Sequence, residues 1–154
     1  MKHHVLILLL TIGLLLSLAA HRAMGQLTIN GANPLLTVST ATPGQEPSAV
    51  TNITCSLRWR RENVITKITV STICPNQRFS LGVLATNVSD GNAAPAVSLT
   101  NGMPATDFIT SIPSGNPPNK TCTLQYTASA TFSQGSSIEL GNDVHTVTYT
   151  IVQQ

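Results

Sequence analysis

The chain has 154 residues, 42% of them hydrophobic and 9% charged, with a formal net charge of +2. Beyond residue 25 the 129 remaining residues carry six basic and six acidic side chains. That balance argues against nucleic acid as a partner, because such binding rests on neutralising phosphates. The charged fraction is also far below the ~25% usual for soluble domains, so Ser, Thr, Asn and Gln supply the polarity.

The first residues form a basic head, Met1-Lys2-His3-His4, then an apolar run from Val5 to Leu18, then the small-residue site Ala23-Met24-Gly25. This order is that of a cleavable signal peptide. The apolar run falls short of the roughly 20 residues that span a bilayer. The expected cut follows Gly25, leaving residues 26–154 as one domain without a membrane span, secreted, periplasmic or on the cell surface.

From Gln26 onward the apolar residues recur with a period of two. About eight strand-like runs follow, counting the first two as one interrupted strand. They are Leu27–Asn30, Leu35–Thr40, Val50–Arg60, Val64–Cys74, Gln77–Val88, Ala96–Thr100, Asp107–Ile112, Thr121–Phe132 and Val144–Val152. Thr, Val and Ile dominate them, as half-buried pleated surfaces prefer. Turn formers separate them, among them Thr42-Pro43-Gly44, Cys74-Pro75-Asn76, Asp90-Gly91-Asn92 and Asn101-Gly102.

The alternation assigns faces. Ile53, Cys55, Leu57 and Trp59 share one side; Phe79, Leu81, Val83 and Ala85 another. Cys122, Leu124, Tyr126, Ala128, Ala130 and Phe132 form a third set, and Val147, Tyr149 and Ile151 a fourth. One apolar and one hydroxyl-rich face per strand predicts antiparallel sheets packed in pairs. The expected fold is all-β, an antiparallel immunoglobulin-like sandwich of about 7–9 strands.

The exported domain holds Cys55, Cys74 and Cys122. If Val50–Arg60 and Val64–Cys74 form a hairpin with Trp59 near Ile65, Cys74 is offset from Cys55 by ~17 Å at about 3.4 Å per residue. Bridged Cα atoms lie within roughly 7 Å. Cys74–Cys122 is then the favoured disulfide, worth about 4 kcal/mol by loop entropy, with Cys55 buried and free. Three reduced buried thiols are the alternative. Scattered Cys with no His beside them lack the spacing of a metal site.

His145 is the one histidine beyond residue 25, and no nucleophile elbow exists. Asp90, Asp107, Glu139 and Asp143 are carboxylates placed mostly in turns, where such residues are ordinary. Glu139, Asn142 and Asp143 together could hold a weakly bound Ca²⁺, though not with the spacing of a known loop. No catalytic residue and no cofactor follow, and an enzyme is not expected. Arg58, Arg60 and Arg61 form the one charged cluster. With Trp59 inward, Arg58 and Arg60 point outward, toward solvent or an anionic sugar or lipid head group. Sequons at Asn52, Asn87 and Asn119 matter only in a glycosylating host.

A long N-terminal stretch, Gln26 to Thr40, a Thr-rich β-domain and a terminal alternating strand, His145-Thr146-Val147-Thr148-Tyr149-Thr150-Ile151-Val152, resemble the layout of bacterial fimbrial subunits. They are equally similar to related secreted coat or adhesin-like domains. The resemblance implies a structural or adhesive protein of the cell exterior, self-assembling or meeting a cell-surface partner. A small secreted carbohydrate- or protein-binding module is the second reading. The N-terminal stretch is expected to lie beside the last strand, either in its own domain or on a neighbour.

Overall fold

The computed structural model describes residues 26–39, 41–115, 118–134 and 140–154. The export signal read in residues 1–25 and Glu139 of the suggested Ca²⁺ group lie outside them.

Among the described residues nine strands form: β1 (Leu27–Asn30), β2 (Val50–Trp59), β3 (Thr66–Ile73), β4 (Ser80–Thr86), β5 (Asn92–Ala93), β6 (Val97–Ser98), β7 (Thr106–Ile112), β8 (Lys120–Ser129) and β9 (Thr146–Gln153). They make two sheets, of order β1-β2-β8-β4-β6 and β5-β7-β3-β9. Every pairing is antiparallel. The expected two-sheet sandwich is what the chain forms.

From β2 onward, each strand is followed by one in the opposite sheet. The turns are therefore arches over the core rather than hairpins. This overturns the expected β2–β3 hairpin: β2 pairs with β1 and β8, while β3 pairs with β7 and β9. The disulfide expected from that register fails with it. Cys55, Cys74 and Cys122 are all buried free thiols. Cys122 lies two residues into β8, whose first residue Lys120 stands opposite Trp59 at the end of β2. Residues 60–65 carry the chain from there to the start of β3. Cys74 follows β3 at its far end, six residues further from that end than Cys122, an offset of about 20 Å along the strands at ~3.3 Å per residue, which no disulfide spans. The expectation of a free, buried Cys55 holds.

The faces follow the alternation with instructive exceptions. Leu57 and Trp59 of β2, Leu124 and Tyr126 of β8, Val83 and Ala85 of β4, and Tyr149 and Ile151 of β9 are buried as read. Ile53, expected inside, is 61% exposed. The β2–β8 register jumps between Asn52 and Cys55, so an extra residue reverses the parity there. The Asn52 side chain fixes this bulge, its Oδ1 accepting from Thr54 N at 3.0 Å and Thr54 Oγ1 at 2.8 Å. Phe132, expected to extend β8, sits in a 3-10 turn (Phe132–Gln134) and is exposed. Leu35–Thr40, read as a strand, is irregular where described; Leu36 packs on the core while Leu35 is exposed. Asn92–Ala93, read partly as a turn, is the short edge strand β5.

The N-terminal stretch pairs through β1 with β2 of its own domain, Leu27 opposite Trp59, and not with β9 as expected. Gly31 ends β1 at φ 112°, where an added Cβ would come within 2.6 Å of the Thr54 carbonyl. Only glycine lets the chain leave so close to the bulge.

Between the sheets, Trp59, Leu57, Ile68, Val70, Leu99, Phe108, Ile109, Ile112 and Leu124 are wholly buried. Tyr126 and Tyr149 meet across the layer by an OH···OH bond of 2.9 Å, and the Phe108 ring lies 5.2 Å from Tyr149. Burial pushes both phenol pKa values up, so this bridge stays neutral. Among the described residues Trp59 Nε1 is buried without a partner, so the ring contributes by its packing. Trp59→Ala is expected to cost about 3–5 kcal/mol, and Trp59→Phe distinctly less, because it fills most of the volume and removes the orphaned N–H. Denaturant unfolding followed by far-UV circular dichroism checks both, and blue-shifted wild-type emission checks the burial.

Candidate functional site

Two groups of polar side chains stand out, one on the outer face of β2 and one at the start of β9. On β2, alternation turns Arg58 and Arg60 outward around the buried Trp59, as read from the sequence. Arg58 lies between Thr28 of β1 and Thr121 of β8 in the ladder. This places a guanidinium between two exposed hydroxyl-bearing residues on a flat face. Arg61 is not part of that face. Its Nε donates to Asp90 Oδ2, joining the β2–β3 arch to the turn before β5. That hydrogen bond holds the Asp90 carboxyl below its ordinary range. Of the three arginines named from sequence, Arg58 and Arg60 remain available to a partner, and Arg61 is committed within the chain.

The second group was not legible as a group. Cys74, one residue past β3, lies together with Asp143 and His145, which lead into β9; one donor atom from each falls within 4.8 Å of the others. The β3–β9 register pairs Ile73 with Thr146, so its continuation sets Cys74 opposite His145. Asp143 and His145 are two apart in extended chain and share a side, with Val144 between them 73% exposed. Asp143 Oδ2 accepts from the backbone N–H groups of Arg78 at 2.9 Å and Phe79 at 2.7 Å. Cys74 N donates to Asn101 Oδ1 at 2.8 Å, and Cys74 O accepts from Gln77 N at 3.1 Å. The backbone at Cys74 and the carboxylate of Asp143 are thus anchored.

The electrostatics do not favour a nucleophile at Cys74. Cys74 is fully buried, and burial, with the charge of Asp143, raises its thiol pKa. Burial lowers the pKa of His145 against the opposing pull of Asp143. A protonated thiol closed to solvent is a poor attacking group. A thiol, a carboxylate and an imidazole are, however, a mixed set of metal-ligand atoms. Sequence reasoning passed over this set because 69 residues separate Cys74 from Asp143; the Asp143-x-His145 spacing on an extended segment was the one local signal.

A third feature is backbone. β9 pairs with β3, and among the described residues no second strand pairs with its other edge. Among the described residues, no helix is long and apolar enough to cross a membrane. Comparison with protein-family models, with curated proteins and with solved structures finds no match for this chain.

Two outcomes are expected. In the native protein none of the three cysteines should react with a thiol reagent, and all three should react in denaturant without prior reduction, since each is buried and free; burial also pushes Cys122 up to about 11. Mass spectrometry of the alkylated chain reads this directly. The Arg61–Asp90 pair should favour folding fully above the unfolded Asp pKa of about 3.9, and its contribution should fade as pH falls through the lower folded value. Asp90→Asn should therefore be less stable than wild type near neutrality and equal to it at strongly acid pH, measured by denaturant unfolding across pH.

Proposed function

We propose that this chain is a non-enzymatic structural or adhesive protein of the cell exterior, a subunit that associates through the open edge of β9. The observation that carries this reading is the inequality of the four sheet edges. β1, β5 and β6 are edges of four, two and two residues, whereas β9 has eight. Short edges are a common protection against unwanted pairing, as are Lys and Pro. β9 reads TVTYTIVQ, with no charge and no proline. An unprotected strand of that length offers a row of N–H and C=O groups to an added strand. The signal-like first residues and the fimbria-like layout favour an exported location for such a subunit. Because β1 pairs within its own domain, the association invoked is edge addition at β9 rather than donation of the N-terminal stretch.

A binding module for carbohydrate or protein is the second reading, favoured by the exposed Arg58 between Thr28 of β1 and Thr121 of β8, with Arg60 exposed just beyond β2.

Light scattering and electron microscopy of the chain from Gln26 onward test the assembly. Oligomers growing with concentration are expected. Thr148→Lys with Thr150→Lys, which place charge on exposed positions of β9, should return the protein to monomer without unfolding it. A wild type that stays monomeric at millimolar concentration would remove the assembly reading. Glycan binding lost in Arg58→Ala with Arg60→Ala would support the second.

A further inference from the structure

The geometry points to a zinc-binding site formed by Cys74, Asp143 and His145. This inference is independent of assembly at β9. Zinc takes sulfur, nitrogen and carboxylate oxygen at about 2.0–2.3 Å in a tetrahedron, so its ligand atoms lie ~3.3–3.8 Å apart. The three donor atoms lie within 4.8 Å of one another, and closing on an ion moves them by at most about 1.5 Å. Rotamer adjustment of an aspartate and a histidine that are both half-exposed covers that distance.

The surrounding hydrogen bonds prepare each ligand. Asp143 gives Oδ2 to two backbone N–H groups, which leaves Oδ1 for the ion. The Thr72 hydroxyl donates to the Thr146 carbonyl at 3.4 Å and stands 3.2 Å from His145 Nδ1. A hydroxyl has one proton. With that proton on the carbonyl, Thr72 Oγ1 accepts from Nδ1–H, and the lone pair of the ring resides on Nε2. An outer partner that fixes the imidazole tautomer is a regular accompaniment of metal ligation. Cys74 brings the sulfur, on a backbone anchored by the Asn101 side chain.

The donor set selects the ion. Calcium takes six to eight oxygens and magnesium an octahedron of them; a single carboxylate supplies neither. Sulfur with imidazole suits zinc. Binding releases the Cys74 thiol proton to solvent; the resulting thiolate and the carboxylate together balance a divalent charge, and solvent reaches the cluster from the Asp143 and His145 side to complete four-coordination. The ion would tie the end of β3 to the segment that leads into β9, holding the last strand at the point where its ladder begins.

The test uses the chain from Gln26 onward, stripped with chelator and titrated with Co²⁺ as a spectroscopic stand-in for Zn²⁺. A single equivalent should give a thiolate-to-cobalt charge-transfer band and the intense visible bands of four-coordinate cobalt, both erased by Zn²⁺. Cys74→Ser should abolish the charge-transfer band. His145→Asn should weaken Zn²⁺ binding by about tenfold or more, and Cys122→Ser should leave binding unchanged. Trp59 emission establishes that each variant is folded. Absence of the band in folded wild type, or its persistence in Cys74→Ser, would overturn the site. If Cys74→Ser does not fold, His145→Asn decides, and an unaltered Zn²⁺ affinity in that variant would count against it.

Discussion

The structure depends on one buried layer between the two sheets, lined by β8, the middle strand of one, and β3, an inner strand of the other. Leu124 and Tyr126 from β8 and Ile68 and Val70 from β3 are buried in it. Each sheet buries one face, and neither face can be covered until the other sheet exists. The connectivity sharpens this constraint. Because successive strands from β2 to β9 alternate between sheets, no hairpin can form early and wait. Completing either ladder beyond β1–β2 needs long-range pairing, of the kind that makes all-β domains slow to fold. The Tyr126–Tyr149 bond lies within this layer and joins β8 to β9. It satisfies two buried hydroxyls at once and so places polar atoms in the core without leaving either unpaired.

What the amino-acid pattern could reveal was the face of each residue, and what it could not reveal was the neighbour of each strand. Period-two alternation is a property of one strand and survives in any pairing. Hence Trp59, Leu124, Val83 and Tyr149 were legible as core. The β2–β3 hairpin was not, because a six-residue link can bend back within a sheet or arch over to the other. The faces themselves failed only where the period broke. Ile53 fell on the wrong side because the Asn52–Thr54 bulge inserts a residue, and its signature is an Asn hydrogen-bonding two residues ahead. Phe132 failed because the chain had already turned out of β8.

The candidate sites divide along the same line. The outward pair Arg58 and Arg60 needed only parity and was visible beforehand. The commitment of Arg61 to Asp90 joins residues 29 apart and was not. Asp143 and His145 were visible as neighbours, but Cys74 joins them only through the β3–β9 register. The disulfide expectation failed for the same reason: strand ends and parity suggested Cys122 as the partner of Cys74, and the β3–β9 register gives it a carboxylate and an imidazole instead.

The charge of this domain sets little repulsion between copies. Six basic and six acidic residues beyond residue 25 leave no net charge to keep copies apart. The last strand is held firmly from within, since Tyr149 and Ile151 are buried and β9 runs in unbroken register with β3 from Ile73 to Thr66. A one-residue slip of β9 would turn both side chains into water. Its outer edge is therefore presented in one fixed position, with its backbone groups already extended and ordered. An added strand would meet a template whose ordering entropy is already spent, and the uncharged Thr-rich outer face would set no charge against it. The property that makes β9 a hazard in a monomer is the one that would make it an effective joint in an assembly.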